Sequence, residues 1–435
     1  MNDDVPYDLV GVGIGPFNLA LAALADPIAE LSTLFLERKP EFSWHPGLLL
    51  PGTQLQVPFL ADLVTLVEPR SPWSFLAYLQ AQDRLFPFYF SERFHVARRE
   101  YDHYCRWVAE SLPTCQFGSD VTSVAWDDTD ELFEVTYERG DIVREIRARN
   151  VVLGVGTEPA LPHALAAFDN PAICHSAQYS YHRAELFSAR DVTVIGSGQS
   201  SAEIFLDLLR HQSDDQQLRW LTRSAAFAPM EYSKLGLEHF TPDYTRYFYS
   251  LNQDTKDVML PSQGQLYKGI SADTISEIFD ELYEKSVGNA QVSATIAPNV
   301  EVEAATTGGP GVILNCRHLQ LDQRFAVETE RVVAGTGYRA RIPACVEPLS
   351  DFIQYDHAGR FQIDENYRVK AKTELPGSAL FIQNGELHSH GVGAPDLGLG
   401  AWRAATILNA LTGDDPCYRL PQRTAFTTFG VPVAH

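Results

Sequence analysis

An apolar run at 7–12 (YDLVGV) breaks into glycines and is followed at 17–24 by a longer apolar stretch with helical spacing. A short continuous apolar run bounded by turn residues predicts a strand buried on both faces, and the longer stretch an interior helix. The triplet LFL at 34–36 predicts the next strand and completes a βαβ unit. The pattern recurs at 191–223, with DVTVIG as strand, SSAEIFLDLLR as amphipathic helix and LRWLTR as the following strand. No other internal similarity is visible. Between the two units, 101–112 has helical spacing, 73–79 is a further apolar segment, and 121–126 and 132–137 read as strands. The stretch 226–287 is rich in Tyr, Phe and acids and predicts a helix at 273–285. Near the end, 331–338 (RVVAGTGY) predicts a strand running into a glycine turn, and 400–411 a helix.

Composition narrows the function classes. The 435 residues carry 34 Lys and Arg against 56 Asp and Glu, a formal net charge of −22, which excludes broad affinity for nucleic acid or an anionic membrane. A local basic pocket for a phosphate-bearing cofactor remains open. The six cysteines form no C-x-x-C pair, lie in no zinc-ligand spacing and are too few for a disulfide framework. The N-terminal MNDDVPYDLVGVG carries acids where a signal peptide needs a basic region, and no apolar run is long enough to span a bilayer. The expectation is a soluble cytoplasmic protein.

The glycine turns carry the chemistry. In Gly11-Val-Gly13-Ile-Gly15-Pro16-Phe-Asn18, glycines let the backbone turn tightly and approach a pyrophosphate, whose charge then rests on the N–H groups of the helix start. Pro16 replaces the usual third glycine and suits a first helical turn that needs no donor there. Glu37 ends the next strand, where a carboxylate accepts hydrogen bonds from a ribose hydroxyl. The alternative is a plain strand–helix turn. In the second turn, Gly196-Ser197-Gly198-Gln199-Ser200, the corresponding strand ends at Arg223. A cation there suits the 2′-phosphate of NADPH, unless Arg223 is simply an exposed arginine. FAD at the first turn and NADPH at the second is the simplest assignment.

Two further strand-to-glycine passages, 151–157 and 334–338, are expected where the chain crosses between nucleotide domains, although either could be a simple turn. His388 and His390 lack a partner at metal spacing, so no metal is expected. There is no catalytic triad or Walker loop, and a flavin enzyme needs none because the cofactor carries the hard chemistry. The expected fold is α/β, with two Rossmann-like dinucleotide-binding domains and a smaller, mostly helical substrate-binding region. The expected division is 1–185 and 331–435 for FAD, and 186–330 for NADPH with the substrate insertion at 226–287.

Along nearly its whole length the chain resembles the flavin-dependent lysine, ornithine and diamine N-monooxygenases of siderophore biosynthesis. The resemblance rests on GVGIGPFNLALAAL at 11–24, FSWHPGLLLPG at 42–52, QVPFLADLVTLVEPRSPWSFLAYL at 56–79, REYDHYCRW at 99–107, VIGSGQSSAE at 194–203, AGTGY at 334–338 and HGVGAPDLGLGAWR at 390–403. It implies that NADPH reduces FAD, that O₂ adds to give a C4a-hydroperoxyflavin, and that a primary amine attacks to give an N-hydroxylamine. It places flavin contacts in 37–45, including Trp44 and His45, and on Gln56, Val121, Asp396 and Leu397. NADP contacts fall on 197–200 and Arg223. It also implies a homo-oligomer, tetramer or dimer.

Three departures from the family pattern bear on substrate. Relatives that use ornithine or lysine read F-L-K-D-L-V where this chain has Phe59-Leu60-Ala61-Asp62-Leu63-Val64, so the lysine that grips the substrate carboxylate in the ornithine enzymes is Ala61 here. The asparagine of N-E-I-F falls on Leu237, followed by Glu238, His239 and Phe240, and the serine of L-L-S falls on Gly398. Without these partners a buried amino-acid carboxylate would cost several kcal/mol. A diamine, cadaverine or putrescine, is therefore expected, with Asp396 or Glu238 facing its distal ammonium. Alternatively Glu238 is scaffold and Asp396 is turned away, and the enzyme is a lysine or ornithine hydroxylase that holds the carboxylate by other residues.

Overall fold

The computed structural model describes residues 5–168, 170–309, 311–373, 375–413 and 415–432. The first βαβ unit forms as expected, with strand Tyr7–Val12, helix Pro16–Ala25 and strand Thr33–Glu37. Leu9 and Val10 have no exposure, as a strand covered on both faces requires. Five parallel strands run in the order Cys115–Phe117, Thr33–Glu37, Tyr7–Val12, Ile142–Leu153, Ala379–Ile382. Strands Leu132–Arg139 and Asp120–Asp127 extend this sheet antiparallel from Ile142–Leu153. Strand Ala379–Ile382 returns from more than 220 residues downstream, so both ends of the chain build one domain.

The second unit builds a separate parallel sheet, ordered Ala294–Ala297, Gln217–Leu221, Asp191–Ile195, Arg331–Ala334, Ile173–His175. This corrects the expected boundaries. Ile173–His175, and the helix Tyr179–Ser188 that the expected boundary at 185/186 would cut, belong with the second sheet, as does Arg331–Ala334, expected in the first domain. The crossings lie further out, and they lie together. Strand Thr157–Pro159 pairs antiparallel with Tyr338–Ala340, so the outgoing and returning chains form one two-stranded ribbon. Both glycine passages therefore sit at the domain junction.

The 226–287 stretch is helical, with Pro242–Ser250, Gln253–Ser262, Gly264–Tyr267 and Ala272–Lys285. An antiparallel meander at Val300–Gly308, Gly311–His318 and Gln323–Thr329 was not anticipated. Its central strand turns Val312, Leu314 and Cys316 inward on one face, at the strand period of two. They pack on Ile195, Leu221 and Val332 of the second sheet. Among the described residues no helix is long and apolar enough to cross a membrane.

Candidate active site

Both glycine turns form helix starts left open for an anion. Gly15 and Gly198 are the N-caps, neither helix has a side-chain cap, and neither has an acid in its first turn. Uncapped N–H groups at the positive end of a helix are a ready anion site. Gly13 has φ +87° and an added Cβ would stand 2.8 Å from Gly154 O, whereas one on Gly15 would meet only Gly154 O at 3.8 Å. The first glycine is therefore required by backbone packing, and the space before the helix is clear. A Cβ on Gly11 would collide with the Phe35 ring.

Asn18 lies behind this turn. Its side-chain amide donates to Val12 O and Gly13 O, its oxygen accepts from Gln383, and it has no exposure. Among the expected cofactor-site residues, Asn18 therefore uses its side chain to brace the turn. Glu37 accepts from Ile14 N at 2.9 Å, which ties the acid to the tip of the turn. Val121 lies nearby, two residues beyond Ser119, whose N–H donates to Glu37 O.

Trp44 N donates to Asp102, and its ring meets Tyr101 and His45 edge-on. His45 has φ +46° and lies 5.6 Å, ring to ring, from Tyr338. Burial, with the Arg98 and Lys39 charges, lowers its pKa to about 4, so the imidazole is neutral near pH 7. Gly47 closes the W-H-P-G motif against the second domain, where an added Cβ would fall 1.8 Å from Ala177 O. Gln56 Nε2 and the hydroxyls of Tyr338 and Tyr232 are buried without a hydrogen-bond partner. Unpaired buried donors of this kind fit a site shaped for a polar ligand.

At the second turn, Gly196 (φ +132°) could carry a Cβ only 2.2 Å from Gly335 O, and Ser201 Oγ donates to the same carbonyl. The AGTGY motif therefore packs directly on the turn. Ser197 Oγ lies 3.0 Å from Ser224 Oγ, and Ser200 is half-buried at the helix start. Gln199 is corrected: its side chain bonds Glu203, Thr274 and Ser271, leaving only its backbone to a cofactor. Arg223 is exposed and has no ion pair among the described residues, as a cation held for a 2′-phosphate should be.

The substrate positions divide. Ala61 is buried, and an added Cβ on Gly398 would lie 3.8 Å from its Cβ, so two of the altered positions meet in one wall. Leu397 packs beside them on the first core. The Asp396 carboxylate accepts from Gly398 N of its own turn at 2.7 Å, Leu399 N donates to its backbone carbonyl, and no lysine or arginine ion-pairs with it among the described residues. Burial raises its pKa to about 6. The neighbouring Asp62 is spent, accepting from Val64, Thr65 and Phe75. Leu237 is 40% exposed, and Phe240 packs on the Tyr244–Phe248–Val392 cluster. Glu238 fits the scaffold alternative: its carboxylate accepts from the Phe426 and Thr427 amides and the Thr427 hydroxyl, so it faces the C-terminal segment.

The sequence model of the L-lysine 6-monooxygenase/L-ornithine 5-monooxygenase family matches residues 5–340. The chain belongs to that family. It is 45% identical to the rhizobactin siderophore biosynthesis protein RhbE of Rhizobium meliloti, over 98% of this chain and 95% of that one. It is 42% identical to a putrescine N-hydroxylase of Shewanella oneidensis, over 98% and 85% of the two chains. Among solved structures, the FAD-bound cadaverine monooxygenase DfoA of the desferrioxamine pathway in Erwinia amylovora superposes with a TM-score of 0.95. That match covers 99% of this chain and 100% of that one at 36% identity. The chain is accordingly an N-hydroxylating flavin monooxygenase that uses FAD and NADPH. The uncapped helix starts, the open space before Gly15 and the unpaired Arg223 fit those two anionic groups.

Two ion pairs that sequence reasoning did not single out hold the site in shape. Arg403 and Glu386 are both essentially unexposed and bond each other; Arg403 also donates to Ala394 O and lies 4.5 Å over the Phe17 ring. One guanidinium thus fixes the loop leading to Asp396 against the first glycine turn. Arg98 makes a bidentate bond to Glu203, at 2.6 and 2.9 Å, between the two nucleotide domains. The available signal was an arginine inside the apolar stretch GAWRAATIL, a position rarely charged unless paired.

Proposed function

We propose that the enzyme N-hydroxylates one end of an aliphatic diamine of the putrescine–cadaverine class, for hydroxamate siderophore biosynthesis in the cytoplasm. The observation that carries this reading is the Ala61–Gly398 wall beside a carboxylate, Asp396, that makes no ion pair among the described residues. A substrate carboxylate would find no cation at that wall. A second ammonium would find a carboxylate that makes no ion pair of its own among the described residues and feels only the Arg403 charge from further off. The diamine-acting relatives support the same substrate class.

When bound, FAD reduced by NADPH supplies the activated oxygen that is transferred. The chain's own residues bind and orient. An alkylammonium with a pKa of about 10.4 must lose its proton before its nitrogen is a nucleophile. Exclusion of water around the reacting nitrogen favours the free base, while Asp396 holds the far end as the cation and so fixes which nitrogen reacts. Neutral His45 adds no positive charge to oppose a dication.

Purified protein with FAD, NADPH and O₂ is to be assayed for hydroxylamine from putrescine, cadaverine, L-lysine and L-ornithine. Efficient product from lysine or ornithine with none from either diamine would overturn the reading in favour of an amino-acid hydroxylase. The exposed aromatics of helix Leu85–Ser91 (Phe86, Tyr89 and Phe90) support a homo-oligomer, dimer or tetramer, which sedimentation velocity would resolve.

A further inference from the structure

The C-terminal segment is fastened to the helical region by an unusual concentration of bonds. Asp243 accepts from the Thr424 amide and hydroxyl and from the Ala425 amide. Glu238 accepts from the next two amides, Phe426 and Thr427. Arg246 donates to Gln422 O on the same stretch. Phe429 then inserts between His239, Tyr244 and Tyr247, at ring separations of 5.4, 4.9 and 6.0 Å.

The contact does not stop at the helix. Tyr244, Phe248 and Val392 form one buried cluster with Phe429 packed against it. Gly391 has φ +83°, and an added Cβ would stand 3.0 Å from the Phe248 ring; one on Gly393 would stand 3.7 Å from Thr245 Oγ1. Gly393 O in turn accepts from Asp396 N. A continuous packed path therefore runs from Phe429 through Tyr244 and Phe248 to the glycine loop that presents Asp396. Helix Pro242–Ser250 rests directly on that loop, and its opposite side is held by the tail.

We propose that residues 423–430 are a strap that positions the amine-binding end of the site, with Glu238, Asp243 and Phe429 acting as positioning residues rather than substrate contacts. The proposal rests on the reading of the Asp396 loop as the amine end, though not on which amine is bound. Charged bonds fix where the tail lies, and the Phe429 ring transmits packing to the loop. Loosening the strap should leave flavin reduction intact and impair the capture of the amine.

The test compares the full chain with a truncation after Gln422 and with Phe429→Ala and Phe429→Leu. All are purified with FAD and assayed with whichever of putrescine, cadaverine, lysine or ornithine the full chain hydroxylates best, so the substrate reading is decided first and separately. The truncation and Phe429→Ala should reduce flavin with NADPH at rates within about twofold of the full chain. Their KM for the amine should rise about tenfold or more, and hydroxylamine formed per NADPH should fall, with hydrogen peroxide making up the balance. Phe429→Leu, which keeps an apolar side chain in the cluster, should recover most of the loss. If the truncated chain fails to retain FAD, the two point variants decide. Unchanged amine KM and coupling in Phe429→Ala would overturn the proposal, as would an equal fall in flavin reduction and hydroxylation at constant KM.

Discussion

Ala61 and Gly398 pack against each other, close enough that a Cβ on Gly398 would be in van der Waals contact with the methyl of Ala61 at 3.8 Å. They lie more than 330 residues apart in the chain, yet both lack a polar side chain where amino-acid hydroxylases present one. Ala61→Lys should therefore place a cation beside the Asp396 loop, against the distal ammonium. The expected result is a rise of about tenfold or more in KM for putrescine or cadaverine, with little change in flavin reduction. Steady-state kinetics on the four amines checks it; unchanged diamine KM would remove the substrate argument from this wall.

Asp396 makes binding pH-dependent in a direction that can be worked out. Its pKa is raised to about 6 by desolvation, so the ligand-free protein loses stability as pH rises from about 4 through 6 and the half-buried carboxylate ionises. A diamine stays doubly protonated over this range, because its nitrogens titrate near pH 10. Its dissociation constant for the oxidised enzyme should therefore fall between pH 5 and 7.5. Asp396→Asn should bind more weakly at pH 7.5 and lose the part of the pH dependence that titrates near 6, keeping only the part due to deprotonation of the reacting nitrogen. Calorimetry across that range decides it.

Arg223 is exposed and makes no ion pair among the described residues, so its removal should cost no stability. Arg223→Ala should raise KM for NADPH about tenfold to a hundredfold, the worth of about 1.5–3 kcal/mol for a hydrogen bond to a charged group. Activity with NADH, which has no 2′-phosphate, should be unaffected. Equal losses with both cofactors would place the 2′-phosphate elsewhere.

The Arg403–Glu386 pair predicts an asymmetry between its two partners. Glu386→Gln leaves an arginine that cannot shed its charge, and breaking a buried pair in this way costs about 3–5 kcal/mol. Arg403→Met leaves a carboxyl that burial already pushes upward and that can take a proton instead. Glu386→Gln should therefore lower the unfolding temperature more than Arg403→Met, and should release FAD more readily by loosening the 393–394 loop. The reverse order in thermal unfolding would show that the guanidinium is not the stranded charge.

Several features were legible in the chain because their physics is local. Glycine at 13 and 196, proline at 16 and an apolar run before each turn state their purpose within about ten residues, and both cofactor folds follow from them. The helix Pro16–Ala25 begins where Pro16 allows it, and the strand Asp191–Ile195 reads directly from DVTVI. The meander was harder, because Val312, Leu314 and Cys316 become a buried face only against a sheet whose strands come from other parts of the chain.

The sequence by itself therefore determined the two nucleotide folds and the family, since each depends on residue type at a short spacing, while resemblance to relatives singled out Ala61 and Gly398. Tertiary structure decided which groups are free to act. Asn18, Gln199 and Glu238 are polar residues inside the right motifs, and each is consumed by a partner: Gln383 and the turn carbonyls, Ser271 with Thr274, and the C-terminal amides. Arg223 and Asp396 are left without ion-pair partners among the described residues. Hydrogen-bonding capacity is finite, and whether a side chain has already spent it depends on segments that only folding brings together.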